Sequence, residues 1–525
     1  MKIGFFFGAG AEIGYGLPSG GKFAIDLFRQ DPTSHKTQLR KILTDHIDPM
    51  TPYATNWLPD NYKTRSIYAF GKNEFTSIIE SSIEYKRSEI IKRLNKFDEE
   101  FDYALKQLSI DRQHLEEKFL EITDVSIGER VYTHTIKLNE LLAKDVALFS
   151  SEYYSALLDI VKLNNNCDDL KRYVTAFLQL LIGAHGQELV QKLNQELFES
   201  APDDLPIFDD IVGMFRLEFN RVGAMALELL LDEKREFNTD PKTATLEELM
   251  SAIAQQIMEN LFTTVLDYQK LIDDHFRYLF NPSTEWAKFT KMVIFLNIAR
   301  EYIHQQAPKE KDLPTAGYYH DLNTLFSDEK ASVIGTSNYN NLISGIFKDT
   351  EIALPKVIHL NGSIHDYYNP YKNSVITTED SSKLDQSQIH VPFILTQSGL
   401  KPLTSVEMSR RYVELFDLYK GSDAIVIVGF GFQKDDSHIN GLFRELLETH
   451  NKKLFLVTLN NGQSPDSEVR SLTTKLRISK NAAKNISVVL VDRDHRNTSE
   501  GISWVQNIQD QLSSMTENSG DDNEQ

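Results

Sequence analysis

The stretch GFFFGAGAEIGYGLPSG, which runs from Gly4 to Gly20, decides the fold class. Residues 3–7, with the sequence IGFFF, form a short apolar run that predicts a buried strand. Apolar residues at helical spacing return in GKFAIDLFRQ, residues 21–30. The loop between them holds four glycines: Gly8, Gly10, Gly14 and Gly16. The chain is therefore predicted to open with a strand, a glycine loop and a helix.

A glycine loop between a strand and a helix is suited to binding phosphate. Its bare backbone lets N–H groups approach phosphate oxygens, and the helix N-terminus adds a partial positive charge. The spacing of Gly8, Gly10 and Gly14 is GxGxxxG, whereas the dinucleotide-binding fingerprint is GxGxxG. Glycines that only permit a tight turn explain the loop equally well. Both interpretations stay open at this point.

The rest of the chain changes character twice. From about residue 36 to about 320 it consists of long amphipathic segments, such as TLEELMSAIAQQIMENLF, which begins with Thr245 and Glu248 as a capping box. After residue 320, strand-length apolar runs alternate with helical segments: ASVIGTSNYNNL, PKVIHLNGSIHD, SDAIVIVGFGF, KKLFLVTLNNG and NISVVLVDRD. Continuous apolar strands alternating with helices predict a parallel sheet covered on both faces.

We therefore predict an α/β protein with a Rossmann-like parallel sheet and a large, mainly helical insertion between the first βα unit and the rest of the sheet. Residues 1–35 form the first strand, glycine loop and helix, and residues 36–320 form a helical region for oligomerisation or partner binding. Residues 321–514 complete the sheet domain, and the polar, acidic residues 515–525 are predicted to be a disordered tail.

Composition excludes several classes of function. The 525 residues include 76 acidic and 56 basic side chains, and the net charge of −20 disfavours binding to nucleic acid or to an anionic membrane surface. Cys167 is the single cysteine, so an internal disulfide and a cysteine-based zinc ribbon are excluded. No stretch reaches the roughly 18 uncharged apolar residues of a membrane helix. We expect a soluble, cytoplasmic protein.

Ligands of open parallel sheets lie outside the carboxyl ends of the strands, so the residues that follow the apolar runs are candidate site residues. Asn338 and Asn340 alternate around Tyr339 after one run, and a strand-like backbone would point both amides the same way. After the next, HLNGSIHD holds His359, Asn361, His365 and Asp366, which are too few ligands for a metal site. Turn chemistry and buried structural histidines are the plainer explanations of these polar residues.

Two later loops follow buried strands as well. Gly429 and Gly431 flank Phe430 in a loop that would let a nucleotide lie against the backbone. Asn460 and Asn461 follow the next strand, where they could hydrogen-bond an adenine or a ribose. Loop geometry accounts for both patterns equally well.

In this order, the motifs resemble those of the sirtuin family. Gly8 to Gly10 and Gly16 to Pro18 are similar to the family's Gly-Ala-Gly loop and the Gly-Ile-Pro that follows it. Thr336 to Asn340 resembles Thr-Gln-Asn-Ile-Asp, and Leu360 to Ser363 resembles Leu-His-Gly-Ser. VGFGFQKDDSHIN, residues 428–440, is similar to the Ile-Gly-Tyr-Ser-Phe-x-Asp segment of bacterial sirtuin-like antiphage proteins. The resemblance covers residues 1 to about 30 and about 330 to 495.

The departures from the family pattern bear on the expected reaction. Asn361 stands where the family has its catalytic histidine, and Asn340 stands where it has an aspartate. Ser19 and Gly20 replace an Asp-Phe pair, and the family's four-cysteine zinc ribbon is missing. Protein deacylation is therefore not expected. Cleavage of the nicotinamide–ribose bond remains feasible because the cationic pyridinium leaves as a neutral molecule and needs no general acid, unlike the leaving oxygen of an ordinary glycoside.

The resemblance implies an NAD⁺ glycohydrolase that releases nicotinamide and ADP-ribose as an abortive-infection antiphage effector, without a metal. Asn338 would position the ribose or the attacking water, Asn361 would bind ribose hydroxyls, and His359 or His365 would supply a base. The expected NAD-binding residues are Gly8, Ala9, Gly10, Ala11, Pro18, Thr336, Asn340, Gly429, Phe430, Gly431 and Asn460. The Gly8 to Ala11 backbone would hold the pyrophosphate.

Such an NAD-depleting activity would have to be regulated, because it would otherwise kill the host cell. We expect control through homo-oligomerisation or through a separate sensor protein encoded nearby, as in multi-gene defence systems of the KongMing type. Two alternatives remain from the sequence. One is a catalytically inactive subunit that binds NAD or ADP-ribose and regulates a partner, and the other is an interaction scaffold in which the loops are only turns.

Overall fold

The computed structural model describes residues 2–18, 20–131, 147–163, 167–185, 224–231, 240–308, 313–328, 330–348, 350–396 and 405–521. The chain divides into two compact units. The sheet unit comprises Met1–Ser19, Asp31–Ala69 and Gln269–Gln525, and the helical unit comprises Gly20–Gln30 and Phe70–Tyr268. The limits predicted at residues 35 and 320 stay predictions.

The described strands all lie in the sheet unit. In chain order they are β1 (Ile3–Phe7), β2 (Ala331–Thr336), β3 (Val357–His359), β4 (Gly362–Asn369), β5 (Ser374–Thr377), β6 (Val391–Ile394), β7 (Ala424–Val428), β8 (Lys453–Leu459) and β9 (Ile486–Val491). Each apolar run that predicts a parallel strand coincides with one of them. The structure also contains a small antiparallel sheet of order β5-β4-β6.

The main sheet has six parallel strands in the order β3-β2-β1-β7-β8-β9. Numbered by their sequence within this sheet, the strands read 3-2-1-4-5-6, which is the order of doubly wound dinucleotide-binding folds. The predicted α/β architecture with a Rossmann-like parallel sheet is therefore confirmed at this level. The direction of winding reverses between β1 and β7, and such a switch point is where these folds form a ligand crevice.

Helices occupy the described chain between β1 and β2. They are α1 (Gly20–Arg29), α2 (Thr33–Lys41), α3 (Pro52–Trp57), α4 (Lys72–Tyr85), α5 (Arg87–Leu94), α6 (Phe97–Gln107), α7 (Arg112–Thr123), α8 (Glu152–Leu163), α9 (Asp168–His185), α10 (Ala224–Leu231), α11 (Leu246–Val265), α12 (Gln269–Phe276), α13 (Trp286–Gln306) and α14 (Asn323–Ser327). After β2 follow α15 (Leu342–Phe347), α16 (Val406–Lys420), α17 (Ser437–Glu448), α18 (Pro465–Leu476), α19 (Lys480–Ala483) and α20 (Trp504–Asp521).

The central strand β1 is buried on both faces, which explains its unbroken apolar sequence. On one face Phe5 packs edge to face against Trp504, with ring centroids 6.4 Å apart. On the other face Phe6 packs against Phe430 and Phe443, at 5.0 and 5.1 Å. The two faces of the sheet therefore bury separate apolar cores.

In the helical unit, the long helix α11 follows its sequence prediction. Thr245 accepts a hydrogen bond from the Glu248 amide and the Glu248 side chain returns one, so the predicted capping box forms. Helix α1 packs on α11 through Gly21, where a Cβ atom would lie 1.8 Å from the Thr263 carbonyl oxygen. Helix α1 thus belongs to the helical unit although it follows β1 directly.

Two further sequence predictions concern the end of the chain and membranes. The last helix is described to Asp521, within the segment predicted to be a disordered tail, and residues 522–525 lie outside the described residues. Within the described ranges, no helix combines the length and apolar character needed to cross a bilayer.

Candidate functional site

The candidate residues follow neighbouring strands at one edge of the main sheet. In spatial order, Asn361 lies after β3, Asn338 after β2, the first glycine loop after β1, Gly429 after β7 and Asn460 after β8. Because the strands are parallel and about 4.8 Å apart, these strand ends form a row about 19 Å long. The motifs that the sequence separates by hundreds of residues therefore share one edge.

The two glycine loops contact each other through their main chains at the switch point. The Gly8 amide donates to the Val428 carbonyl and the Gly10 amide to the Gly429 carbonyl, both at 2.9 Å. A Cβ atom on Gly8 would lie 2.6 Å from the Gly429 oxygen. Gly429 has a left-handed φ of +68°, and its own Cβ would lie 2.1 Å from the Ala11 nitrogen. Close backbone approach therefore requires these glycines.

The first loop offers fewer free amides than the pyrophosphate prediction assumes. Besides Gly8 and Gly10, the Ala11 amide also has an acceptor, the Gly8 carbonyl at 3.0 Å. Ala9 is exposed and is the one residue of the four for which the described part of the chain gives no main-chain acceptor. In this conformation the loop can therefore present the Ala9 amide to an anion. Pro18, farther along the loop, is half-buried.

A cavity of about 320 Å³ lies beside the switch point. Its walls come from Gly10, from the loop that contains Gly429, Phe430 and Gly431, from the end of β8 and from one face of α18. Lys475 of α18 lines the cavity and donates from Nζ to the Gly431 carbonyl at 3.1 Å. Four of the eleven predicted NAD-binding residues, Gly10, Gly429, Phe430 and Gly431, thus line this cavity.

Asn460 is not among the residues that line this cavity, whereas Asn461 is. The Asn460 side-chain oxygen accepts a hydrogen bond from the Gly462 amide at 3.1 Å, which is turn chemistry. Phe430 also differs from the expectation in detail, because its ring packs on Phe6 in the core. The backbone of its loop, with Gly429 and Gly431, is what borders the cavity.

Glu12 is a site residue that the sequence analysis missed. Its side chain is buried, and it accepts hydrogen bonds from the Tyr319 hydroxyl and from Asn340 Nδ2, both at 2.6 Å. Burial raises the pKa of Glu12 to about 7, although hydrogen bonds from Tyr319, Asn340 and Asn338 work in the opposite direction. An acidic residue inside a glycine loop that follows a buried strand was the available signal.

Asn338 and Asn340 point toward the same cluster, as their alternation predicts. Asn338 Nδ2 donates to the Gly8 carbonyl at 3.2 Å and to the Tyr319 oxygen at 3.3 Å. The Asn340 oxygen accepts from the Leu342 amide at 2.9 Å, so its nitrogen is directed at Glu12. A chain of hydrogen bonds therefore runs from Asn338 through Tyr319 and Glu12 to Asn340. Nearby, the Thr336 hydroxyl donates to the Phe7 carbonyl at 2.9 Å and ties β2 to β1.

The predicted histidines have different surroundings. His359 Nδ1 lies 2.8 Å from the Asn338 carbonyl oxygen, so Nδ1 carries the proton and Nε2 is left as the basic nitrogen. Burial lowers the pKa of His359 and favours its neutral form. His365 lies in the antiparallel sheet, and burial lowers its pKa too. Its Nδ1 atom is buried and has no hydrogen-bond partner among the described residues, so it takes no part in the asparagine cluster.

Asn361 contacts a histidine that the sequence analysis did not single out. Its side-chain oxygen lies 3.2 Å from Nε2 of His438, at the start of α17, and the His438 ring packs beside Tyr412. The structure thus places an imidazole next to Asn361. Over the ranges that the structure describes, no group of three or more His, Cys, Asp or Glu side chains could hold a metal ion.

Comparison of the chain with protein-family models, with curated proteins and with solved structures gives no match. Functional inference therefore starts from the geometry of this sheet edge and from the motifs themselves. The edge combines a cavity of nucleotide-compatible size, two glycine loops, a buried carboxylate and two oriented carboxamides.

Proposed function

We propose that the chain is a sirtuin-like NAD⁺ glycohydrolase that cleaves the nicotinamide–ribose bond to give nicotinamide and ADP-ribose. The observation that carries the proposal is the position of Asn338, beside the switch point of a sheet with dinucleotide-binding strand order. Its nitrogen is held by Gly8 and Tyr319, and among the described residues its side-chain oxygen has no hydrogen-bond partner. An oriented acceptor is what a bound water or a ribose hydroxyl needs.

The dinucleotide would lie along the row of strand ends. Its ADP portion would occupy the cavity beside Gly429, Gly431 and Lys475, where glycine backbone and one cation are available to the phosphates. Its nicotinamide ribose would lie toward Asn338 and Asn361, at the ends of β2 and β3. The described hydrogen bonds of Asn361 leave its nitrogen available as a donor to ribose oxygens.

The reaction requires little acid–base catalysis from the protein. The C1′–N bond breaks as the pyridinium takes up its electron pair and leaves as neutral nicotinamide. A water oxygen then bonds to C1′ and releases its proton to solvent. Orientation of this water by Asn338 and preorganised dipoles around the ribose supply the catalysis. His359 Nε2 is the nearest basic nitrogen to Asn338 in its hydrogen-bond network.

The wider role is that of a gated effector. We infer that NAD⁺ depletion serves antiphage defence, and the support is the resemblance of the four ordered motifs to bacterial sirtuin-like defence proteins. Uncontrolled hydrolysis would harm the host cell. We infer that the helical unit mediates control, through self-association or through a separate sensor protein, because none of the candidate site residues lies in it.

One observation favours a second candidate, an inactive NAD- or ADP-ribose-binding subunit. The Gly8, Gly10 and Ala11 amides are engaged within the protein. A chain that never frees them would hold the diphosphate through the Ala9 amide and the second loop only, and need not reach a reactive geometry.

The two functions separate in one experiment. The purified full chain is incubated with NAD⁺, alone and with the products of neighbouring genes, while nicotinamide and ADP-ribose are quantified by chromatography. The hydrolase predicts equimolar release of both products, which Asn338→Ala slows by about a hundredfold and Asn481→Ala, at an exposed position of α19, leaves unchanged. The binding subunit predicts a thermal shift with ADP-ribose and no release under any condition.

A further inference from the structure

Among the residues that the structure describes, the Glu12 carboxylate has no compensating positive charge. It is 5% exposed, and the groups that face it, from Tyr319, Asn338 and Asn340, are all neutral. Within the described part of the chain, no Lys, Arg or His side chain forms an ion pair with it. Buried carboxylates are otherwise almost always paired, since an isolated buried charge is costly.

The neighbours of Glu12 are arranged for the ionised carboxylate. Asn340 can only donate to it, because the Asn340 oxygen is occupied by the Leu342 amide. Tyr319 accepts from Asn338 Nδ2 and so directs its own proton at Glu12. Burial and the adjacent carboxylate raise the pKa of Tyr319 well above its ordinary value, so it stays a donor. The hydrogen bonds at Glu12 thus suit a negative charge, for which the described residues supply no cation.

We propose, on the basis of the proposed function, that the carboxylate of Glu12 selects positively charged N-glycosides: it complements the nicotinamide cation of the oxidised dinucleotide and discriminates against the neutral reduced form. Glu12 lies one hydrogen bond from Asn340, an expected NAD-binding residue, and two from Asn338, the side chain assigned to the nicotinamide ribose. The substrate would bring the positive charge that the described surroundings of Glu12 do not supply.

The expected size of the effect follows from electrostatics. Opposite unit charges about 6 Å apart, at an effective dielectric constant of about 20, attract strongly enough to change affinity by about a hundredfold. Partial solvation of the bound ring reduces this, and we expect at least about a tenfold preference. The cation would also hold Glu12 in its ionised form at neutral pH.

Binding of uncleavable ligands tests the charge without relying on turnover. The probes are carba-NAD⁺, in which a methylene group replaces the ribose ring oxygen, NADH, and ADP-ribose, which lacks the ring. Their affinities for the full chain are measured by titration calorimetry at pH 8.5. The parent is expected to bind carba-NAD⁺ at least about tenfold more tightly than NADH, and Glu12→Gln is expected to bind the two within about twofold of each other. ADP-ribose affinity should be equal in both proteins.

A second variant separates charge from local packing. The carboxamide introduced by Glu12→Gln would place its N–H group opposite one of two donors, the Tyr319 hydroxyl or Asn340 Nδ2, and could disturb the cluster for that reason alone. Tyr319→Phe also disturbs the cluster but keeps the carboxylate, and it should retain the preference for carba-NAD⁺. Loss of preference in Tyr319→Phe, or its persistence in Glu12→Gln, would overturn the proposal.

The outcomes distinguish this proposal from the hydrolase assignment. If the parent chain prefers carba-NAD⁺ but releases no nicotinamide from NAD⁺, the charge selection is supported and the hydrolase assignment is refuted. If the parent chain hydrolyses NAD⁺ but binds carba-NAD⁺ and NADH equally, the hydrolase assignment is supported and the charge selection is refuted. If the chain binds none of the three probes, both proposals are refuted.

Discussion

The Tyr319 hydroxyl lies 2.6 Å from Glu12 Oε1 and 3.3 Å from Asn338 Nδ2, so one phenol joins the buried carboxylate to the carboxamide at the end of β2. The Tyr319 ring is itself fixed, by Phe7 at 4.9 Å and by Tyr15 at 5.4 Å between ring centroids. Because the phenol cannot move freely, the protonation state of Glu12 is expected to control how Asn338 is held.

The rate of nicotinamide release should therefore rise with pH around neutrality. The pKa of Glu12 is raised to about 7, so the carboxylate that accepts from Tyr319 and Asn340 forms as the pH increases through that value. We expect kcat/KM, which reports ionisations of the free protein, to increase between pH 6 and pH 8 in the parent, measured by product chromatography, and to be nearly flat over this range in Glu12→Gln. Equal pH profiles in the two proteins would contradict this role of Glu12.

Stability is expected to change in the opposite direction. The pKa of Glu12 is about 7 in the folded chain against a usual value of 4.5, so its ionisation opposes folding. The stability associated with the neutral form is complete below about pH 4.5 and is lost as the pH rises to about 7, at a cost of about 3 kcal/mol. Urea denaturation of the parent and of Glu12→Gln at pH 5 and pH 8 measures this change in the free energy of unfolding. The parent should lose more stability between the two pH values.

Removal of the Asn338 carboxamide should slow the reaction without unfolding the chain. We expect Asn338→Ala to reduce kcat by about a hundredfold, the loss typical of one oriented dipole in an active site, while ADP-ribose affinity changes little. Asn338→Asp is the matched isosteric variant, and it should also be slow because its carboxylate cannot donate to the Gly8 carbonyl. Product assays and titration calorimetry measure the two quantities. Unchanged turnover in Asn338→Ala would remove the assigned site.

His438 should matter to the reaction through Asn361. Its Nε2 atom lies 3.2 Å from the Asn361 side-chain oxygen and so fixes the orientation of the carboxamide. We expect His438→Ala to lower kcat by about tenfold, with the larger effect on kcat than on KM, because the ribose loses an oriented donor. His495→Ala is the control, since that ring is 81% exposed in its side chain and remote in the fold from Asn361. Equal activity of the two variants would contradict the prediction.

The sequence predicted the framework of this site better than its chemistry. The strand ends were predictable because each strand is signalled by a run of adjacent apolar residues. Their convergence followed because parallel strands all end at the same edge of the sheet. Glu12 was missed because its partner Tyr319 is 307 positions away, so nothing nearby marks the carboxylate as buried. The Asn361–His438 contact joins residues 77 positions apart on separate βα segments. The Gly8 and Gly10 amides are occupied because β7 lies next to β1 in the sheet. The periodicity of apolar residues does not reveal which strands are neighbours.

The contact between the two glycine loops gives the last prediction. Gly429 has φ +68°, and a Cβ atom there would lie 2.1 Å from the Ala11 nitrogen, so Gly429→Ala must separate the loops or strain them. We expect a loss of about 1–3 kcal/mol in the free energy of unfolding and weaker ADP-ribose binding, because the displaced loop borders the cavity. Denaturation and calorimetry measure the two effects.

Gly441→Ala is the matched control for Gly429→Ala. Gly441 lies inside α17, and nothing lies within 4 Å of a Cβ atom built there. Alanine is the better helix former by about 1 kcal/mol, so this variant should be as stable as the parent or slightly more stable, with unchanged ADP-ribose affinity. If Gly429→Ala behaved like Gly441→Ala, the two loops would not need their close approach, and the crevice at the switch point would lose its structural basis.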